Sequence, residues 1–220
     1  MKEYEVKIKL ESPLHLGSGH ADVVVDAEAV KDKYGMPYFP GKRLKGLLYE
    51  SALEMAEMGC GQVETPTFDI EDVKALFGQT SSDGNDVSKL RVDNFYLDEY
   101  VDLCAGWKYL QQEYPGIFTP DDVWNSYTEL RYQTAIDEET GIALDGTLHN
   151  IRAVDAGTEF IGQIVLLNVN PEDGVKSKDE QILELALLNL RYAGVKRNRG
   201  FGKIKCTINK GNAEGDTKNA

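Results

Sequence analysis

Residues 179–208 read DEQILELALLNLRYAGVKRNRGFGKIKCTI. From Asp179 to Tyr192 the apolar residues Ile182, Leu183, Ala186, Leu187 and Leu190 recur at helical spacing, which gives a helix one buried face. Gly194 stands at the expected C′ position, where a left-handed residue commonly ends a helix. Ile204, Cys206 and Ile208 then alternate with polar residues, the pattern of a strand with one face buried. The fifteen residues from Arg191 to Lys205 hold Arg191, Lys196, Arg197, Arg199, Lys203 and Lys205, with no acidic residue among them. The chain as a whole is acidic, with 24 Lys and Arg against 37 Asp and Glu and a net charge of -13.

Working outward, residues 158–169 (TEFIGQIVLLNV) and 90–97 (LRVDNFYL) read as strands. Tyr4, Val6, Ile8 and Leu10 alternate with charged residues as a first, half-buried strand. A helix is expected from Gly41, with Leu44, Leu47, Leu48, Ala52, Met55 and Met58 on one face and Gly59 and Gly61 as its stop. A short helix over 69–78 takes Asp69 as cap and Gly78 as end. VVVDAEAVKDKYGMPYFPG reads as a short strand or hairpin, and PEDGVKSKD as a loop. The major elements then run strand, helix, strand, strand, helix, strand. That is the split βαβ order of an α+β, ferredoxin-like (RRM-like) core with an antiparallel sheet. An insertion over about 98–150, without a long periodic segment, falls between the second and third core strands. One domain over 1–210 and a disordered tail over 211–220 complete the expected organisation.

With 220 residues and 41% hydrophobic content, there is material for a sizeable core. No apolar run reaches membrane-spanning length, and MKEYEVKIKL is no signal peptide, so a soluble, cytoplasmic protein is expected with no membrane partner. The three cysteines, Cys60, Cys104 and Cys206, form no C-x-x-C pair, so neither a disulfide framework nor a zinc site is expected. His15, His20 and His149 do not supply one either. No Ser-His-Asp spacing, P-loop or dinucleotide fingerprint is present.

The acidity argues against nonspecific nucleic-acid binding over the whole surface but leaves room for a local groove. Nine of the 24 basic residues fall in two glycine-bounded turns. In PYFPGKRLKG, Pro40 and Gly41 set a turn and Lys42, Arg43 and Lys45 occupy the first turn of a helix. Cations there oppose the helix dipole, while helix N–H groups together with cations suit a phosphate. A solvated helix end is the plain alternative. In GVKRNRGFGKIK, a tight turn explains Gly194, Gly200 and Gly202 by positive φ. It leaves the unrelieved charge of Lys196, Arg197 and Arg199 to be explained by an anion lying close to the backbone. RGFG followed by KIKC partly resembles the basic-Gly-aromatic-Gly strand of RNA-recognition motifs, with Lys203 where that pattern has an aromatic. VVDAEAVKDKYG carries the acidic residues Asp26, Glu28 and Asp32. Most acids here solvate; a lone Asp beside a phosphate groove could hold a divalent ion or help activate a ribose 2′-hydroxyl.

Taken together, LHLGSG, VDAEAVKDKYGMPYFPGKRLKG, LRVDNFYL, AIDEETGIALDGTLHNIRAVDAGTEFIGQIVL and LLNLRYAGVKRNRGFGKIK resemble the RAMP superfamily of CRISPR proteins, nearly end to end. The nearest likeness is to the repeated backbone subunit of type III effector complexes. The resemblance implies a thumb-like insertion and copies stacked along a guide (CRISPR) RNA beside other effector-complex subunits. It implies that Lys42, Arg43, Lys45, Lys196, Arg197, Arg199 and Lys203 cradle guide phosphates and that His15 lies near the guide. It further implies that the insertion around 131–152 wedges into the guide–target duplex. Asp26 falls where the family has its target-RNA-cleaving aspartate, acting with a divalent ion, Mg²⁺ by expectation, as an endoribonuclease of antiviral defence. A non-cleaving structural RNA-binding subunit is the alternative. A precursor-processing nuclease and an acidic protein-interaction domain are the more distant ones.

Overall fold

The computed structural model describes residues 1–19, 25–59, 68–78, 88–167 and 176–209. The tail over 211–220, Gly61, Cys60, His20 and the ends of the expected strand and loop at 23–24 and 168–175 lie outside these residues. Strand β1 (Lys2–Leu10) alternates as its sequence requires, with Tyr4, Val6, Ile8 and Leu10 buried and Glu3, Glu5 and Lys9 exposed. Helix α1 (Gly41–Glu57) begins where Pro40 holds an extended conformation and has no N–H to contribute to a strand. Gly41 is required by contact: a Cβ there would lie 2.3 Å from the carbonyl oxygen of Val92. Helix α2 (Ile70–Phe77) is capped by Asp69, which shares a reciprocal capping box with Asp72, and ends at Gly78 at φ 86.

The expected strand over 90–97 splits into β2 (Leu90–Val92) and β3 (Tyr96–Leu97). Phe95 breaks it, because its backbone exchanges two hydrogen bonds with Phe39 and its ring lies over Gly162. After the insertion come β6 (Glu159–Leu166), helix α5 (Lys178–Asn189) and β7 (Ile204–Asn209). The structure is a mixed α and β fold with antiparallel sheets. The main sheet runs β2-β6-β1-β7, with β3 also on β6, and every pair is antiparallel. The two long core helices lie together, Ser51 of α1 donating to the carbonyl of Ala186 in α5 at 2.9 Å. Among the described residues the main hydrophobic core runs from Tyr4 to Ile204, with a small second cluster of Ile151, Ala153 and Phe201. Among the described residues no helix is long and apolar enough to cross a membrane.

The segment over 98–150 departs from expectation. It holds α3 (Tyr100–Glu113), α4 (Pro120–Tyr127) and a two-stranded sheet of β4 (Thr128–Gln133) and β5 (His149–Val154). Helix α3 buries no residue fully and leaves Val101 and Tyr109 exposed, so its apolar face is too thin to announce a helix. Helix α4 does carry a start signal, Thr119 and Asp122 forming a capping box ahead of Pro120 at the first helical position. Helix α5 also ends earlier than expected, at Asn189. Ala193 donates to the carbonyl of Gly202 and Ile204 to that of Arg191, both at 2.8 Å, so residues 191–204 close as a narrow hairpin and Gly194 is no helix terminus. The expected strand before Tyr34 is reduced to single bridges, Ala29 with Gly17, Ala27 with Ile151 and Lys31 with Pro37.

Candidate nucleic-acid interface

The two cationic turns converge. The first turn of α1 has no acidic residue and no side-chain cap. Lys42 is exposed, and the Arg43 guanidinium donates to the carbonyl of Gly17 in the glycine loop. Gly194, at φ 73, brings the second turn against that same loop, where Val195 donates to the carbonyl of His15 at 3.4 Å. An open groove of about 480 Å³ results, lined by His15, Gly17, Gly194, the cations Lys42, Arg43 and Arg197, and Glu50 among others. Its charge comes from side chains more than from bare helix amides. The N–H of Gly41 is taken by Asn94 Oδ1 at 2.9 Å and that of Arg43 by the carbonyl of Pro40 at 3.0 Å.

The remaining candidates sort themselves by contact. Lys45 turns away from the groove, its ammonium donating to Ser88 Oγ at 2.6 Å. Lys203 pairs with Glu11 at 2.9 Å, which holds its pKa above the usual lysine value. Arg199 is exposed on the short 3₁₀ turn 197–199. Arg197 Nε donates to the carbonyl of Gly194 at 3.1 Å. Lys196 reaches back to the insertion, to Gln133 Oε1 and, at 3.1 Å, to His149 Nε2. Burial lowers its pKa, and the neighbouring charge of Arg199 adds to the effect.

His15 is buried, and its Nδ1 lies 2.6 Å from the carbonyl oxygen of Arg152. A carbonyl can only accept, so the ring proton sits on Nδ1. Gly17 and Gly194 make room for this residue. A Cβ on Gly17 would lie 3.0 Å from His15 Nε2, and one on Gly194 2.5 Å from His15 O. The glycines of both loops therefore answer to packing and to positive φ at Gly194, Gly200 and Gly202, without an anion being needed to explain them.

Asp26 is exposed on the segment that follows the glycine loop. It exchanges two hydrogen bonds with Asn150 at the start of β5: Asn150 N donates to Asp26 Oδ2 at 2.7 Å, and Asp26 N donates to Asn150 Oδ1 at 2.9 Å. The segment is anchored by Glu28, which sequence reasoning grouped with the solvating acids. Glu28 Oε1 accepts from the indole of Trp124 at 2.7 Å and lies 3.1 Å from Arg152 Nε. Arg152 is itself bonded to Asn125 at 2.8 Å and Thr128 at 3.2 Å. Glu28, Trp124, Arg152, Asn150 and His149 join the neighbourhood only in three dimensions. Glu28 and Trp124 are 96 residues apart, Asp26 and Asn150 124, and His149 and Lys196 47, beyond the reach of any local spacing rule. Among the described residues no three His, Cys, Asp or Glu side chains gather as a metal cage.

The RAMP superfamily model matches residues 7–205. A protein of Methanocaldococcus jannaschii called CRISPR system Cms endoribonuclease Csm3 is 25% identical over 205 residues, covering 90% of this chain and 75% of the relative. A Streptococcus thermophilus protein of the same name is 23% identical, covering 92% and 85%. Among solved structures, a chain of the Type III-B Cmr-beta complex bound to cognate target RNA superposes with a TM-score of 0.64 at 14% identity. That match covers 94% of this chain and 97% of the other. A chain of the same complex in its apo state gives 0.64 at 12%, covering 95% and 98%. The family match takes in β1 from Lys7, both cationic turns, the Asp26 segment and the insertion hairpin, and with that span covered the chain belongs to the RAMP superfamily.

Proposed function

We propose that this chain is a backbone subunit of a type III CRISPR RNA-guided effector complex, holding guide RNA by its phosphates in the groove between α1 and the Gly194 turn. The observation that carries the reading is the convergence of Lys42, Arg43 and Arg197 on one open groove in a protein of net charge -13. Positive charge gathered in one trough on a negative body attracts a polyanion locally while the rest of the surface repels it. The strand order supports a single ferredoxin-like domain over 1–210. In this reading the β4–β5 hairpin is the thumb, bearing on a guide–target duplex, and copies of the chain stack along the guide in the cytoplasm beside other subunits.

The same subunit cleaves target RNA. The 2′-oxygen attacks the adjacent phosphorus and the bond from phosphorus to the 5′-oxygen breaks. One proton leaves the 2′-hydroxyl and another reaches the departing 5′-oxygen, so the products carry a 2′,3′-cyclic phosphate and a 5′-hydroxyl. Asp26 is the residue assigned to this step. Its backbone and Oδ2 are fixed by Asn150, so the carboxylate is oriented before substrate arrives. A single carboxylate fits Mg²⁺, which is commonly held by one or two carboxylates completed by substrate phosphate and water. Such an ion would neutralise charge developing on the phosphate. Asp26→Ala in the assembled complex should retain target RNA binding and lose cleavage; undiminished cleavage would remove Asp26 from the mechanism. A non-cleaving structural role is the second reading, favoured by the lack, among the described residues, of any cluster of three His, Cys, Asp or Glu side chains around Asp26.

A further inference from the structure

We propose that Lys196 is a positioning residue that ties an RNA strand in the groove to the base of the β4–β5 hairpin and, through it, to Asp26. This rests on the RNA-binding reading above. Lys196 has φ 59, and among the described residues only Glu99 shares a positive φ without being glycine. A side-chain-bearing residue keeps that conformation only where its surroundings hold it there. The surroundings are Gln133 on β4 and His149 on β5, which face each other directly in the hairpin register.

His149 Nδ1 lies 3.0 Å from the carbonyl oxygen of Thr147, which can only accept. The ring proton is therefore on Nδ1, and Nε2 presents its lone pair to the Lys196 ammonium. Two neutral acceptors thus hold a partly buried cation, and among the described residues no carboxylate forms an ion pair with it. An ammonium has three N–H donors. Two are taken by Gln133 and His149, and in this proposal the third meets an RNA phosphate. Arg197, the next residue, lines the groove. On the hairpin side, the residue after His149 is Asn150, which orients Asp26. Lys196 stands between Val195 and Arg197, which line the groove, and its own contact to His149 leads through the neighbouring Asn150 to Asp26. Filling the third donor with a phosphate would stiffen the hairpin base and the Asp26 segment together.

Amide hydrogen exchange on the full chain, with and without a short single-stranded RNA at low salt, tests this. Lys196→Gly suits the backbone conformation, so the fold is kept while the tether is lost. Exchange at residues 149–151 should rise by at least about tenfold, since two hydrogen bonds from a charged donor are lost and one alone is worth roughly that factor. His149→Gln keeps an acceptor in the same place and should stay near wild type. RNA should slow hairpin exchange in wild type and in His149→Gln but not in Lys196→Gly. Unchanged exchange in RNA-free Lys196→Gly, or equal protection by RNA with and without Lys196, overturns the inference alone. Failure of every variant to bind RNA at low salt sinks the RNA-binding reading, and this inference with it.

Discussion

Replacing Lys42, Arg43 and Arg197 together by Gln removes the cations lining the groove and leaves its shape nearly intact. Each phosphate contact on a single strand contributes about 0.7 to the slope of log affinity against log salt, so three contacts contribute about 2. Over a change from about 50 to about 200 mM salt, a slope of 2 corresponds to a loss of roughly 20-fold in affinity that the triple variant should no longer show. Lys45→Gln is the matched control. Lys45 sits in the same helix turn, but its ammonium is committed to Ser88, so the slope should stay at its wild-type value. Fluorescence anisotropy of a labelled single-stranded RNA, titrated at several salt concentrations, reads both quantities directly. Far-UV circular dichroism checks that the variants fold, since Arg197 also bonds the carbonyl of Gly194. An unchanged slope in the triple variant, or an equal drop in Lys45→Gln, would refute the assignment of the groove.

Two further outcomes concern stability. Glu180 is buried at the start of α5, where burial alone would raise its pKa. Lys2, Tyr4 and the amide of Ser177 outweigh that and hold it at about 2 against an ordinary 4.5. A depressed folded-state value means its contribution is complete above 4.5 and is lost as pH falls toward 2. Wild type should therefore lose about 3 kcal/mol of stability over that window and Glu180→Gln much less, as measured by urea midpoints; parallel pH profiles would contradict this. Gly194→Ala meets both a positive φ and the carbonyl oxygen of His15 at 2.5 Å, whereas Gly200→Ala, at φ 80, meets nothing within 4 Å. The first should cost clearly more than the roughly 1–2 kcal/mol of the second, and equal urea midpoints would show that the His15 contact is unimportant.

The core was legible because its elements obey local rules. β1 alternates over its whole length, α2 carries a capping box and a terminal glycine, and α5 repeats its apolar residues every third or fourth position. Each reports its own burial to its near neighbours in sequence. The insertion was not legible for the opposite reason. Helix α3 is only half covered, and β4 and β5 are held by each other and by the Asp26 segment. The groove was half legible. That cations crowd both turns is written in the sequence, whereas the diversion of Lys45 to Ser88, of Lys203 to Glu11 and of Lys196 to the hairpin depends on contacts between distant segments. Glu28 shows the same limit. One more acid in an acidic chain, it is the anchor of Trp124 and Arg152.

The most direct test is where an RNA strand lies on the assembled protein. In a cryo-EM reconstruction of the complex with its bound RNA, the account predicts backbone phosphates between Lys42 and Arg43 on one side and Arg197 on the other. A strand running instead across the open face of the sheet, along Lys7, Lys9 and Lys205, would contradict it.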